Sequence, residues 1–176
     1  YDIVILPGSK MVADDIFWLK ERGFQKILSS NKQKVIAICG GYEMMFEKIV
    51  DANNIESSHK IIEGFARFKG KVTFTKKKIV KKGIYNIFGT LVRGYEIHNG
   101  ITKHRSKRAK NLYGTFMHGL FDNDDLRFKI FHKINKNYKG YNFKAYKSKA
   151  IDDYANHIEK HIDIEFIENC IECKSH

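Results

Sequence analysis

The sequence predicts an α/β fold with three layers, in which helices flank a mostly parallel sheet that carries an antiparallel extension. Residues 2–6 and 35–38 are short, continuous apolar runs of the kind found in strands buried on both faces. Each run ends in small residues and is followed by helical spacing of apolar residues. From Gly64 to Thr102 the pattern changes to the alternation typical of antiparallel strands. Parallel strands joined by helices place a ligand crevice beyond their carboxyl ends, where Gly8 and Cys39 lie.

The first strand is expected at residues 2–6 and ends at Pro7. A helix follows, opened by acidic residues from Asp14 and ended by Gly23, because carboxylates favour the first turn of a helix and glycine favours its end. A second, short helix is expected at about residues 24–30. These elements make the first strand-helix unit of the sheet.

The second strand is expected at residues 35–38 and runs directly into Cys39-Gly40-Gly41. A helix is predicted next, from the spacing of four apolar residues, Tyr42, Met45, Phe46 and Ile49. Strand, sharp turn and helix therefore follow one another in this order.

The alternating region is predicted to contain several short strands separated by glycines. The strands are at 72–74, 79–80, 84–88 and 91–97, and the glycines are Gly70, Gly83, Gly89 and Gly94. A further strand at 112–116 ends just before His118, and Asn123 or Asp124 can cap the next helix. Two C-terminal helices are expected at about 151–161 and 163–171.

Composition indicates one globular domain over residues 1–176, since 43% of the residues are apolar. The net charge of +12 raises the question of nucleic-acid binding, but the lysine runs at 76–78, 81–82 and 103–110 lack interleaved aromatic platforms, so no nucleic-acid partner is predicted. No apolar run is long enough for a bilayer and the start has no signal-peptide pattern, so a cytoplasmic chain without membrane contact is expected. Three cysteines favour reduced thiols over a disulfide framework.

Cys39 is the predicted nucleophile. The sequence around it matches a nucleophile elbow, the sharp strand-to-helix turn that exposes a reactive side chain, with cysteine in the place of serine. The start of a helix is also expected to lower the pKa of the thiol and favour thiolate. The alternative is a small buried cysteine in an ordinary Gly-Gly turn.

The predicted base is His118, because a thiol nucleophile needs a partner that exchanges a proton near neutral pH. His118 stands where an apolar strand ends between small residues, so it is expected to reach the same crevice. His98 is the second candidate, although it could equally be an outward strand residue. The amides of Gly8 and Gly40 are the predicted oxyanion hole, and the alternative for Pro7-Gly8-Ser9 is a plain turn.

No metal site is predicted. Cys170-x-x-Cys173 with His176 has metal-like spacing, but it supplies only three ligands at the end of the chain. His157 and His161 share a helix face that is expected to be solvated.

Five segments together resemble the C-terminal class I glutamine amidotransferase domain of cobyric acid synthase, which has a flavodoxin-like fold. They are Ile5 to Lys10, Ile38 to Tyr42, Arg93 to His98, Gly114 to Asp122 and Ile151 to Ile164. The resemblance implies a glutaminase that supplies ammonia, with L-glutamine as substrate and no cofactor in this domain. It also implies an upstream dethiobiotin-synthetase-like domain that uses ATP and magnesium to activate corrinoid carboxylates, so the chain, which starts at Tyr1, is expected to be a C-terminal fragment.

The resemblance makes four further residues candidates for support or substrate contact: Glu43, Glu96, His98 and Arg93. Glu43 departs from the family, which has glutamine at this position of substrate recognition. Leu120 stands where the usual triad has glutamate, which favours a Cys-His dyad, and Glu96 is a candidate to orient His118. The alternatives to a glutaminase are a cysteine hydrolase or chaperone-like protein of related fold, and a catalytically degenerate regulatory domain.

Overall fold

The computed structural model describes residues 1–30 and 32–172, and contacts within it divide the chain into two compact units, 1–120 and 121–176. The elements in chain order are β1 (Ile3–Leu6), α1 (Val12–Glu21), α2 (Gln25–Ser29), β2 (Lys34–Ile38), α3 (Gly40–Met44), β3 (Phe46–Val50), β4 (Ile61–Glu63), β5 (Phe68–Ile87), β6 (Thr90–Ile101), β7 (Ser106–Ala109), β8 (Leu112–Thr115), β9 (Met117–His118), a 3-10 helix (Leu120–Asp122), α4 (Asp124–Phe131), α5 (Phe143–Glu159) and α6 (Ile164–Glu172).

The first sheet has four strands in the order β1-β2-β8-β7. The pairs β1/β2 and β2/β8 are parallel, and β7 is antiparallel to β8. The predicted α/β class is therefore confirmed, with its parallel strands where the apolar runs lie. The expectation that residues 2–6 are buried on both faces is wrong, because β1 is an edge strand and Ile5 is 40% exposed. The central strand β2 does fit that expectation, with Val35, Ile36 and Ala37 all buried.

The second sheet has five strands in the order β4-β3-β5-β6-β9, and only the β3/β5 pair is parallel. The predicted antiparallel extension is thus present, but its predicted strand breaks are wrong. Gly83 and Gly94 lie opposite each other inside β5 and β6, since the two strands form one long hairpin. Gly89, with φ of 77°, takes the turn between them. Gly70 also lies inside β5, outside the hairpin ladder, with φ of 103° beside the irregular pairing of β5 with β3. Ladder hydrogen bonds along the hairpin therefore hold Gly83 and Gly94, which locally favour a break.

The helix predicted after the elbow is much shorter than its apolar spacing indicates. Helix α3 ends at Met44, and Phe46 and Ile49 lie in β3, where they are buried. Aromatic and β-branched residues favour strands, and β3 gains pairing on both sides, from β4 and β5. A helix or a strand could bury these apolar residues equally well, so pairing with distant strands determines that this segment is a strand.

Tyr42 fixes α3 to the core of the first unit. Its ring is fully buried and meets the rings of Phe46, Phe68 and Phe116 edge to face, with centroids 5.1, 5.7 and 5.1 Å away. Its hydroxyl donates to the carbonyl of His104 at 3.0 Å. The short helix behind Cys39 is therefore held in place by aromatic packing.

The strand predicted at 112–116 passes from one sheet to the other. Residues Leu112–Thr115 pair with β2 in the first sheet, whereas Met117 and His118 pair with β6 in the second. Phe116 lies at the crossing and is buried. His118 is therefore positioned by the second sheet while Cys39 follows a strand of the first.

The second unit contains α4, α5 and α6. Helix α4 begins directly after Asn123, as predicted. Helix α5 begins at Phe143, earlier than the predicted 151, because the side chain of Asn142 caps it by accepting from Ala145 N at 2.9 Å. Arg127 ties this unit together, donating to Asp124 Oδ1 at 2.7 Å and to the carbonyls of Phe121 and Tyr141.

Candidate active site

Cys39 occupies the turn between β2 and α3 with φ of 51° and ψ of −113°, a region that side-chain-bearing residues rarely adopt. Backbone hydrogen bonds to neighbouring segments stabilise this conformation. Cys39 N donates to Thr115 O at 2.8 Å, and Gly41 N donates to Pro7 O at 3.1 Å. The turn has the strained backbone of a nucleophile elbow, as the Gly-Gly motif predicted.

The thiol of Cys39 is only 6% exposed, and its Sγ lies 3.6 Å from Ile97 O. Burial, with a smaller contribution from the charge of Glu43, raises the pKa of the thiol to about 12, and the Gly40 N–H hydrogen bond opposes this rise. This direction is opposite to the expected lowering. The physical reason is that α3 has only five residues, so its dipole is weak against the desolvation of a buried thiolate. Without substrate, the thiol is protonated at neutral pH and needs a base.

Cys39 and His118 both lie close to Gly8. A Cβ placed on Gly8 would lie 3.0 Å from His118 Cε1 and 3.5 Å from Cys39 Cβ. Glycine fits this close approach, since a side chain here would require the imidazole to shift by a few tenths of an ångström. Gly40 N–H points at the thiol, so both predicted oxyanion donors belong to residues that border Cys39.

His118 is half-buried and its ring stacks on that of Tyr95, with centroids 5.1 Å apart and planes 8° from parallel. Burial lowers the pKa of His118, and the nearby His98 lowers it further. A lowered pKa keeps the imidazole neutral at pH 7, which is the form that accepts a proton from a thiol.

His98 points inward. It is 6% exposed, its ring stacks on Phe116 at 3.8 Å, and its Nδ1 donates to Gly100 O at 2.7 Å. Its Nε2 lies 3.6 Å from Glu96 Oε2. The interpretation of His98 as an outward strand residue is therefore wrong, and His98 is a buried neighbour that lowers the pKa of His118.

Glu96 is 1% exposed, and besides His98 its Oε2 faces Arg105 Nη1 at 3.7 Å. The β6/β9 register pairs Tyr95 with His118 and Glu96 with Met117. Cross-strand partners share a face of a sheet and successive residues alternate, so Glu96 and His118 lie on opposite faces. This register argues against Glu96 as the group that orients His118. Arg93 is exposed in β6, on the same face as Tyr95.

Glu43 is 2% exposed and its carboxyl packs against the backbone of Gly100, where an added Cβ would overlap Glu43 Oε1. Burial raises the pKa of Glu43 well above its usual range, and the charge of Glu56 adds to this. Burial therefore favours the protonated form of Glu43, whose carboxyl is similar in shape to the carboxamide of the glutamine expected at this position from the resemblance.

Sequence reasoning missed Asp51, Glu56 and Tyr95. Asp51 is fully buried and accepts three backbone N–H bonds from Ile55, Glu56 and Ser57, at 2.7, 2.9 and 3.0 Å. An aspartate at the end of an apolar strand, before Asn53-Asn54, is a recognisable signal for such a turn. The influence of the Glu56 charge on the pKa of Cys39 has no comparable local signal.

Other candidates belong to the second unit, residues 121–176. Cys170 is exposed in α6, and its proposed metal partners Cys173 and His176 lie outside the described residues. His157 and His161 are exposed, with ring centroids 4.4 Å apart. Within residues 1–30 and 32–172, no group of three or more His, Cys, Asp or Glu is placed to hold a metal ion. In the same described part of the chain, every helix is too short or too polar to cross a membrane.

The fold and the site together define an α/β domain with a cysteine at a nucleophile elbow, a facing histidine and flanking glycine amides. The chain belongs to the CobB/CobQ-like glutamine amidotransferase domain family, whose family model matches residues 1–126. The resemblance seen in the sequence motifs is thereby confirmed, and the chain is a glutamine amidotransferase domain.

Three curated relatives illustrate the match, and each is named cobyric acid synthase. The protein of Acinetobacter baylyi is 35% identical over 98% of this chain and 38% of its own length. That of Clostridium perfringens is 33% identical over 97% of this chain and 40% of its own length. That of Listeria monocytogenes is 32% identical over 95% of this chain and 39% of its own length. The chain therefore spans about two fifths of the length of these relatives.

Proposed function

We propose that this chain is the glutaminase domain of a cobyric acid synthase and that it hydrolyses L-glutamine through a Cys39-His118 dyad. The strongest support is the position of Gly8, which lies against both Cys39 Cβ and His118 Cε1. A strained cysteine, a neutral histidine and two glycine amides at one point are the parts that acyl transfer from a carboxamide requires.

The proposed reaction begins with transfer of the thiol proton of Cys39 to His118 as Sγ attacks the carboxamide carbon. The amides of Gly8 and Gly40 donate to the oxyanion, and His118 passes the proton to the departing nitrogen, so that ammonia leaves and a glutamyl thioester remains. Water then gives a proton to His118 and attacks the thioester. Glutamate is released, and the proton returns to the sulfur.

The ammonia is proposed to serve the ATP-dependent amidation of corrinoid carboxylates in a synthetase domain, where magnesium and ATP act. The names of the relatives support this assignment, as does their greater length. Direct passage between the domains would protect ammonia from protonation in bulk water, which removes its nucleophilicity.

Labelling with a glutamine-shaped electrophile, such as a diazoketone analogue of L-glutamine, tests the site. We expect it to modify Cys39 at least about 100-fold faster than the exposed Cys170, because binding orients the electrophile on the nucleophile. Iodoacetamide, which lacks the amino-acid group, is expected to prefer Cys170, since the thiol pKa of Cys39 is raised. Peptide-resolved mass spectrometry measures both rates.

Two outcomes would contradict the proposal. Equal labelling of Cys39 and Cys170 by the glutamine analogue indicates a degenerate regulatory domain. Selective labelling without release of glutamate from glutamine indicates a cysteine hydrolase of another specificity or a chaperone-like protein. Product analysis for glutamate and ammonia separates these cases.

Glu43→Gln is expected to keep glutaminase activity at pH 7 within about threefold, because the neutral carboxyl and the carboxamide have similar shape and hydrogen bonding. The variant should also be more stable at higher pH. The folded pKa of Glu43 is raised above the unfolded value, so wild-type stability is fully present below the unfolded pKa and declines as pH rises toward the folded value.

Thermal unfolding between pH 5 and pH 9 measures this difference, at about 2–4 °C for each kcal/mol in a domain of this size. The gap in melting temperature between variant and wild type should widen as pH rises. The exposed Glu63→Gln is the matched control and should give no pH-dependent gap. A gap that stays constant with pH would show that Glu43 is already ionised in the folded chain.

A further inference from the structure

Strand β6 touches both members of the proposed dyad. The carbonyl oxygen of Ile97 lies 3.6 Å from Cys39 Sγ, and Tyr95 is the ladder partner of His118 in the β6/β9 pair. Cross-strand partners lie on one face of a sheet and are close enough for their side chains to meet. One short stretch of β6 therefore contacts the nucleophile through its backbone and the base through a side chain.

Gly94 lets β9 come close to this stretch. A Cβ on Gly94 would overlap the carbonyl oxygen of His118 and the side chain of Met117, so glycine permits the approach. Strand β9 contributes only two residue pairs to the ladder with β6. This pairing places the backbone of His118, but it leaves the plane of the imidazole open, because the last torsion of a histidine side chain has broad minima.

The ring of Tyr95 restricts that plane. It stacks on the ring of His118 with centroids 5.1 Å apart and planes 8° from parallel, while Gly8 borders Cε1 of the same imidazole. Rotation of the imidazole would drive its edge into the tyrosine ring. His98 makes a second stack of this kind, on Phe116, with centroids 3.8 Å apart and planes 7° from parallel. Two ring stacks from β6 thus hold the segment that carries the base.

We infer that Tyr95 is a positioning residue, whose stacked ring holds the imidazole of His118 in the plane in which it exchanges a proton with Cys39. Leu120 stands where the resemblance places a triad glutamate, and its hydrocarbon side chain cannot accept a hydrogen bond from an imidazole. The role of Tyr95 requires a flat ring and not the phenol hydroxyl. It rests on the proposed hydrolysis of glutamine by the dyad.

Replacing Tyr95 by leucine or phenylalanine separates the ring from the hydroxyl. Tyr95→Leu should lower kcat about 10- to 100-fold with KM within about threefold of wild type, because a base displaced by about 1 Å slows proton transfer without changing substrate binding. Tyr95→Phe keeps the ring and should keep both constants within about threefold. Tyr146→Leu is the matched control, an exposed tyrosine of α5, and should leave both constants unchanged.

Proton NMR reports the stack without any turnover. The ring current of a stacked tyrosine should shift the Cε1–H resonance of His118 upfield, and this resonance is assigned by its loss in His118→Gln. The upfield shift should persist in Tyr95→Phe and disappear in Tyr95→Leu. Because Tyr95 is 41% exposed, its replacement by leucine opens no cavity in the core.

Three results would overturn the role of Tyr95: a wild-type kcat in Tyr95→Leu, equal losses of kcat in Tyr95→Leu and Tyr95→Phe, or a raised KM with unchanged kcat, which indicates substrate contact. If Tyr95→Leu does not fold, a His118 resonance without an upfield shift in wild type and Tyr95→Phe overturns it equally. A wild-type protein that releases no glutamate from glutamine would overturn the proposed function itself, while the NMR shift would still report whether the rings stack.

Discussion

Replacing Cys39 by alanine is expected to reduce glutamine hydrolysis by about four to six orders of magnitude, because the variant lacks the sulfur nucleophile and water alone attacks carboxamides very slowly. The loss should fall on kcat, since the variant keeps the glycine amides and the pocket walls. Glutamate release under saturating glutamine measures it.

The same variant distinguishes loss of ammonia supply from loss of the enzyme as a whole. If the domain supplies ammonia to a synthetase domain as proposed, Cys39→Ala in a protein that carries both domains should abolish glutamine-dependent amidation but spare amidation driven by added ammonium salt. Cys170→Ala is the matched control, because that cysteine is exposed in α6, and it should leave both activities unchanged. Glutaminase activity that survives Cys39→Ala would exclude Cys39 as the nucleophile.

His118→Gln is expected to lower kcat by about 10²- to 10⁴-fold, the usual range for a general acid-base group. In the wild type, kcat should fall as pH decreases, because the protonated imidazole cannot take the thiol proton. Burial and His98 lower the pKa of His118, so this decline should lie below the ordinary histidine value of about 6.5.

The pH profile of kcat at saturating glutamine is the decisive measurement. The acidic decline should disappear in His118→Gln and persist in the control His104→Gln, whose side chain is exposed. If the decline survives in His118→Gln with a small loss of rate, another group takes the proton, and His98 is the next candidate.

The elbow was predictable because its determinants are local. An apolar run, a cysteine and two glycines specify a strand that turns sharply into a helix, and the structure has that turn with φ of 51° at Cys39. Phe46 and Ile49 were misassigned to a helix because their apolar spacing fits both conformations, and pairing of β3 with strands on both sides decides between them.

The electrostatic state of the site was not predictable from local pattern. The helix start after Cys39 indicates a lowered thiol pKa, but residues brought by distant segments bury the thiol and raise its pKa to about 12. The raised pKa of Glu43 likewise depends on packing against Gly100 of β6, a residue far away in the sequence.

The sequence by itself determined the α/β class, the elbow at Cys39 and the family of the domain, since these follow from short segments whose sterics are set by adjacent residues. Only the tertiary structure decided that His118 reaches Gly8 beside Cys39, that Glu96 lies on the opposite face of the strand pair, and that burial raises the pKa of Glu43. The physical reason is that strand register and desolvation arise from residues far apart in the chain, so they are set only when the sheets pack.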